Sequence, residues 1–279
     1  MIKQHQQFGL YNKRIFERVV LTPPARLLAS MPNEACFYYA VKGNSRFRTP
    51  TQQIALEAEE ALVLKCGNYF TEWLESNKDE YCEVIAVHFY PEVLRKIYDK
   101  ELPDFLTEVG RIEPMLLNKS KADELLTNYV SSLQFYFQNE ELVSDELLKL
   151  KVKELILLLA KTDNVEMITQ LLAGLFSPTR YTLKEIIEAN VYSNLSIDEL
   201  AKLANISTST FKREFTKIYQ QSPGRYIKER KLSRAADLLL KTDRRISDIA
   251  FDCGFVEVAH FSRSFQKRYG VSPSNYRLN

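Results

Sequence analysis

The 279-residue sequence predicts a two-domain α+β chain: an N-terminal β-barrel or jelly roll with flanking helices, then an all-α domain of two tandem helix-turn-helix motifs. Three observations carry that expectation. Eight short β-type runs, parted by turn residues, occupy about residues 16–90. A helix–turn–helix pattern occurs twice in the last third of the chain, about fifty residues apart. Charge divides along the same line. Residues 177–279 hold 18 Lys and Arg against 11 Asp and Glu, whereas residues 1–176 hold 20 against 25.

The expected strands are 16–21, 26–30, 35–41, 45–49, 53–56, 61–65, 69–74 and 81–89. Pro23-Pro24, Pro32-Asn33, Gly43-Asn44, Gly67-Asn68 and Ser76-Asn77 supply turns between them. Short strands at regular spacing specify a sandwich or barrel of jelly-roll type. Its aromatic cluster, Phe37, Tyr38, Tyr39, Tyr69, Phe70 and Trp73, is either plain core or the lining of a ligand pocket.

From Pro91, a residue suited to the first helical position, the pattern turns helical. Helices are expected over 92–99, 123–137, 145–160 and 165–176. Leu126, Tyr129, Val130, Leu133 and Phe137 show the spacing of one apolar face. These helices either pack within the chain or pair across a homodimer formed through helices 119–175. The first domain thus spans 1–175, with the barrel at about 16–90 and helices at about 91–175. Residues 176–180, broken by Pro178, are the expected linker.

The second domain, 176–279, opens with a helix over 182–190. Its motifs lie at 197–219 and 246–269, joined by a helix over 223–241. Phe211, Phe215, Tyr219, Ser222, Pro223 and Tyr226 precede Phe261, Phe265, Tyr269, Ser272, Pro273 and Tyr276 by fifty residues each. Asn205 stands where Gly254 stands, offset by forty-nine, and both types tolerate a left-handed turn. A basic domain beside an acidic one suits a nucleic-acid module joined to something else.

The tandem pair resembles the DNA-binding domain of the AraC/XylS family of bacterial transcription regulators. Ala250, Gly254-Phe255, Phe261 to Phe265, Lys267, Gly270, Ser272-Pro273 and Tyr276-Arg277 carry the resemblance, and Leu232, Ala235 and Leu238-Leu239 match the family's linker helix. Lys231 stands where the family more often has Arg. The resemblance covers about residues 180–279. It implies a cupin-like sensor domain ahead of the module, and recognition helices in successive major grooves of promoter DNA. Matched to the family, Thr208, Ser209, Lys212 and Arg213 face DNA from the first motif, and Glu257, Val258, His260, Ser262 and Arg263 from the second. A linker helix of nineteen residues is ~28 Å long, close to the ~34 Å turn of DNA that parts such grooves.

Composition narrows the rest. Only His5, His88 and His260 are present, and His88 alone falls in the expected barrel, so no multi-histidine metal site and no cofactor are expected. His88 reads as a core or rim residue. No nucleophile–base constellation stands out, so no enzyme is expected. Cys36, Cys66, Cys82 and Cys253 lack paired spacing and read as reduced thiols of a cytoplasmic protein. The start has no apolar signal segment, and no apolar run is long enough to span a membrane. The leading expectation is a transcription activator that works with RNA polymerase, its first domain sensing a small molecule or partner. The alternatives are control by a partner protein alone, or a cupin enzyme fused to the DNA-binding module.

Overall fold

The computed structural model describes residues 1–31, 34–64, 67–73, 81–98, 115–116, 123–161 and 181–278. It divides into two compact units, with the main boundary between residues 180 and 181.

The first unit contains two antiparallel sheets. The strands are β1 (Ile2–Leu10), β2 (Lys13–Leu21), β3 (Ala25–Met31), β4 (Ala35–Lys42), β5 (Ser45–Arg48), β6 (Gln53–Leu56), β7 (Ala61–Leu64), β8 (Gly67–Trp73), β9 (Cys82–Phe89) and β10 (Met115–Leu116). One sheet has the order β1-β2-β9-β4-β7-β10 and the other β3-β8-β5-β6. The jelly-roll expectation therefore takes its sandwich form, with two sheets and no closed barrel among the described residues.

The central strands β4 and β9 are buried on both faces, which is why they read as nearly continuous apolar runs. Phe37, Ile85 and Val87 join one core with helices α1 (Pro91–Tyr98), α2 (Asp123–Gln138) and α3 (Asp145–Lys161). Cys36, Tyr38, Val84 and Ala86 alternate with them and join a second core with Phe47, Leu56 and Tyr69 of the other sheet. His88 is buried, with its Nε2 3.1 Å from Glu17 Oε2.

Strand β1 corrects the expectation that strands begin near residue 16. It pairs with β2 across a turn in which Tyr11 and Asn12 adopt φ of 53° and 63°. The sequence IKQHQQFGL lacks apolar alternation because β1 is an edge strand, exposed over most of its length. Helices α1, α2 and α3 lie where they were expected, to within two residues. The helix expected at 165–176, the linker at 176–180 and Cys66 fall outside the described residues. No described helix is long and apolar enough to cross a membrane.

The second unit is helical: α4 (Leu183–Asn190), α5 (Ile197–Leu203), α6 (Thr208–Tyr219), α7 (Pro223–Lys241), α8 (Ile246–Asp252), α9 (Val258–Tyr269) and α10 (Pro273–Leu278). Thr182 and Ser196 start α4 and α5 with reciprocal capping boxes to Glu185 and Glu199. Proline stands at the first position of α7, where its missing N–H costs nothing.

Candidate nucleic-acid interface

Each motif begins with a helix that must stop sharply. After α5, Asn205 takes φ 54°, its N–H donates to Lys202 O, and the Ile206 N–H donates to Ala201 O at 3.0 Å. After α8, Gly254 takes φ 78°, its N–H donates to Phe251 O, and the Phe255 N–H donates to Ala250 O at 3.0 Å. Both are six-to-one closures around a left-handed residue, the geometry that satisfies the last helical carbonyls.

The helices that follow, α6 and α9, are held by matching aromatic clusters. Phe211, Phe215, Phe261 and Phe265 are fully buried. The rings of Phe215 and Tyr219 lie 4.6 Å apart, and those of Phe265 and Tyr269 4.5 Å. Tyr226 meets Phe215 edge-on at 5.5 Å, and Tyr276 meets Phe265 edge-on at 5.2 Å. The fifty-residue repeat is thus a repeat of packing, and it orients the same helix face outward twice.

On α6, Ser209, Lys212 and Arg213 are exposed. Ser207 is the N-cap, and its hydroxyl accepts from the Thr210 N–H. Thr208 is half-buried and donates its hydroxyl to Asp198 Oδ1 at 2.7 Å. Arg213 and Lys217 both reach Glu214, at 3.2 and 3.0 Å. On α9, Arg263 is exposed and its Nε donates to the Ala259 carbonyl at 3.4 Å. Glu257 is the exposed N-cap, and His260 is exposed beside the Phe255 ring, with centroids 6.0 Å apart. Ser262 is half-buried, and Val258 packs against the core of this motif.

Two features escaped the sequence reading. Glu188 of α4 accepts hydrogen bonds from both Tyr219 (2.9 Å) and Tyr226 (3.0 Å), with Arg230 at 3.4 Å. Burial opposes its charge, yet the two hydroxyls and Arg230 hold its carboxyl below the usual range. The other is Lys231, whose ammonium bonds two backbone carbonyls. The repeated tyrosines were a signal for the first feature, and the match of Lys231 to a position where the family more often has Arg marked the second without revealing its partners.

Two helix-turn-helix units in tandem, each presenting an exposed polar and basic second helix, define a double helix-turn-helix DNA-binding protein. Residues 200–279 match the helix-turn-helix domain family, and residues 35–171 match the ExsA N-terminal regulatory domain family. The chain is 40% identical over 96 residues to the regulatory protein SoxS of Salmonella typhimurium, covering 34% of this chain and 90% of SoxS. It is 25% identical over 245 residues to the virulence regulon transcriptional activator VirF of Yersinia enterocolitica, covering 86% of this chain and 88% of VirF. Among solved structures, the DNA-binding domain of AdpA in complex with a target DNA is similar at 25% identity, 34% of this chain, 89% of that chain and a TM-score of 0.33. The chain belongs to the AraC family of transcription regulators, as the residues from Ala250 to Arg277 implied, and it is a DNA-binding regulator.

Proposed function

We propose that the chain activates transcription from the promoters it binds, reading two successive major grooves with α6 and α9. The observation that carries this reading is the duplicated packing, which leaves Ser209, Lys212 and Arg213 exposed on one helix and Arg263 on the other. Arg263 would pair bidentately with a guanine, and Lys212 and Arg213 would reach base edges or phosphates. Glu257, His260 and Ser262 flank Arg263. Thr208 and Val258 serve mainly to seat their helices, since one is bonded to Asp198 and the other faces the core. VirF is named as a transcriptional activator, which supports the activator reading, and RNA polymerase is the partner this reading requires. The protein acts in the cytoplasm, where promoter DNA lies, and not as an enzyme.

The first unit senses the signal. A cavity of about 320 Å³ lies between its two sheets, walled by Tyr38, Phe47, Leu64, Val84 and Trp73 and by the polar group His5, Arg14, Glu17 and His88. Burial opposes the charge of Glu17, but His88, Arg14 and His5 outweigh it and hold its carboxyl at about 2. An apolar pocket with a fixed charged wall favours a small-molecule effector. A specific observation also favours a partner or second copy: Leu150 and Leu157, seven apart on α3, are 63% and 55% exposed.

Genome-wide occupancy of the tagged chain, with transcript changes on its deletion, tests the activator reading. Occupied promoters whose transcripts fall on deletion would support it, and unselective occupancy would defeat it. Trp73 is the single tryptophan and lines the cavity, so its fluorescence during titration with metabolite fractions reports a small effector directly.

A further inference from the structure

Lys231 projects from the connecting helix α7 into a half-buried position. Among the described residues it meets no carboxylate. Its ammonium donates to the Ser193 carbonyl at 2.6 Å and to the Gly254 carbonyl at 2.9 Å. Ser193 lies in the loop that leads from α4 into the first motif, and Gly254 is the turn of the second. One side chain on the connector therefore bridges the loop that enters the first motif to the turn of the second.

The backbones also meet at this point. A Cβ on Gly254 would run into the Tyr192 carbonyl, with the Ser193 carbonyl at 2.8 Å and Lys231 Nζ at 2.9 Å, so only glycine fits. Next to it, the Arg234 guanidinium, one helical turn beyond Arg230, covers the Tyr192 ring at 4.3 Å. Lys has three donors and no acceptor, and a desolvated ammonium is tolerated only while its partners are in place. Parting the motifs would strip Lys231 of one carbonyl and leave a charge under-solvated. The contact is therefore satisfied in one relative placement of the two motifs and penalised in others.

We propose that Lys231 is a positioning residue that locks the spacing and angle between the two recognition helices, so that two half-sites are read as one unit. This rests on the reading of both helices as groove readers, and the experiment separates the two ideas.

The probe is the tightest duplex that the wild-type full chain selects from a random-sequence pool. It is compared with versions carrying one base pair added or removed between the half-sites, single-base substitutions, or one half-site alone. Wild type should lose about 100-fold in affinity on the spacing change, because one half-site goes unread. Lys231→Met keeps the length of the stem but no donor. It should bind a single half-site as wild type does, with its spacing penalty reduced to about 3-fold. Lys231→Arg should restore the penalty, which a mere loss of stability would not predict. Lys231→Met that is folded by circular dichroism yet keeps the wild-type penalty overturns the proposal. A wild type with no preference among single-base variants overturns the groove-reading assignment and the proposal with it.

A second measurement holds even where Lys231→Met does not fold. Spin labels at Lys217→Cys and Lys267→Cys, in a Cys66→Ser background, report the distance between α6 and α9 in the free chain. A single narrow distance supports the lock, and a broad distribution overturns it.

Discussion

The two helix-turn-helix motifs have matching aromatic cores but differ in how their helices begin and how their charges are used. In the first motif, both helices start on hydroxyl caps: Ser196 accepts from the Glu199 N–H and Ser207 from the Thr210 N–H, each at 3.2 Å. In the second, Arg245 and Glu257 occupy the N-cap positions and make no side-chain cap bond. Arg213 and Lys217 of the first motif share Glu214, whereas Arg263 meets no carboxylate among the described residues. Glu188 ties Tyr219 and Tyr226 to α4 in the first motif. The first motif is thus secured by local polar bonds. The second relies on its aromatic packing, on Lys231 and on Arg244, which pairs with Asp252 at 2.6 Å and whose carbonyl accepts from Arg277, and it leaves Arg263 exposed.

The largest effect should come from the two matching cores. Phe215→Ala and Phe265→Ala each open a cavity at a fully buried ring, and each should cost ~3–5 kcal/mol in chemical denaturation of the full chain. Equal costs would show that the two cores are energetically equivalent. A loss well below that range in one motif would show that its site collapses around the vacancy.

Arg263→Ala should come next. It leaves Phe261 and Phe265 in place, so stability should hold while ~1–3 kcal/mol of binding is lost, concentrated at one base pair. Lys212→Ala tests the opposite motif. A base contact would give the same signature there, and a phosphate contact would weaken every sequence evenly and lower the salt slope by about 1. Binding to a panel of single-base operator variants distinguishes these outcomes. Should Arg263→Ala bind the whole panel as tightly as wild type, the second helix is not reading the groove.

Caps give a smaller contrast. Ser207→Ala should destabilise the helical unit by ~1 kcal/mol, because the Thr210 N–H loses its acceptor. Glu257→Ala, at the matching position, should leave the melting temperature nearly unchanged, since its side chain caps nothing. A comparable loss in both would erase the asymmetry.

The smallest effect is one of pH. Glu188 has a folded-state pKa below its ordinary value, so as pH falls the unfolded chain takes up this proton before the folded one does. Its contribution is full above the ordinary glutamate value of about 4.3 and is lost as pH falls through the lower folded value. Glu188 is partly solvated, so screening keeps the contribution modest. Hydrogen exchange at acid pH should show the amides of α6 loosening before those of α9. Glu188→Gln should remove that difference.

The helical half was legible because its signals are local. Apolar residues three and four apart, left-handed residues after α5 and α8, and prolines at the starts of α7 and α10 each act within a turn or two of themselves. A fifty-residue repeat then marks the packing unit. Strands β4 and β9 were legible for a related reason: burial on both faces demands apolar residues throughout. Strand β1 was not, because an edge strand in solvent needs no apolar code and is defined by its pairing with β2. The caps at Ser196 and Ser207 and the pairs around Glu214 are local, but the other contacts that distinguish the two motifs lay beyond local reading. Thr208 meets an acceptor ten residues away, Tyr226 one thirty-eight away, and Lys231 carbonyls thirty-eight and twenty-three away. The sequence by itself determined which helices form and which faces they bury. The tertiary structure decided which polar groups are occupied and which face solvent, because hydrogen bonds between distant residues exist only once the chain has folded.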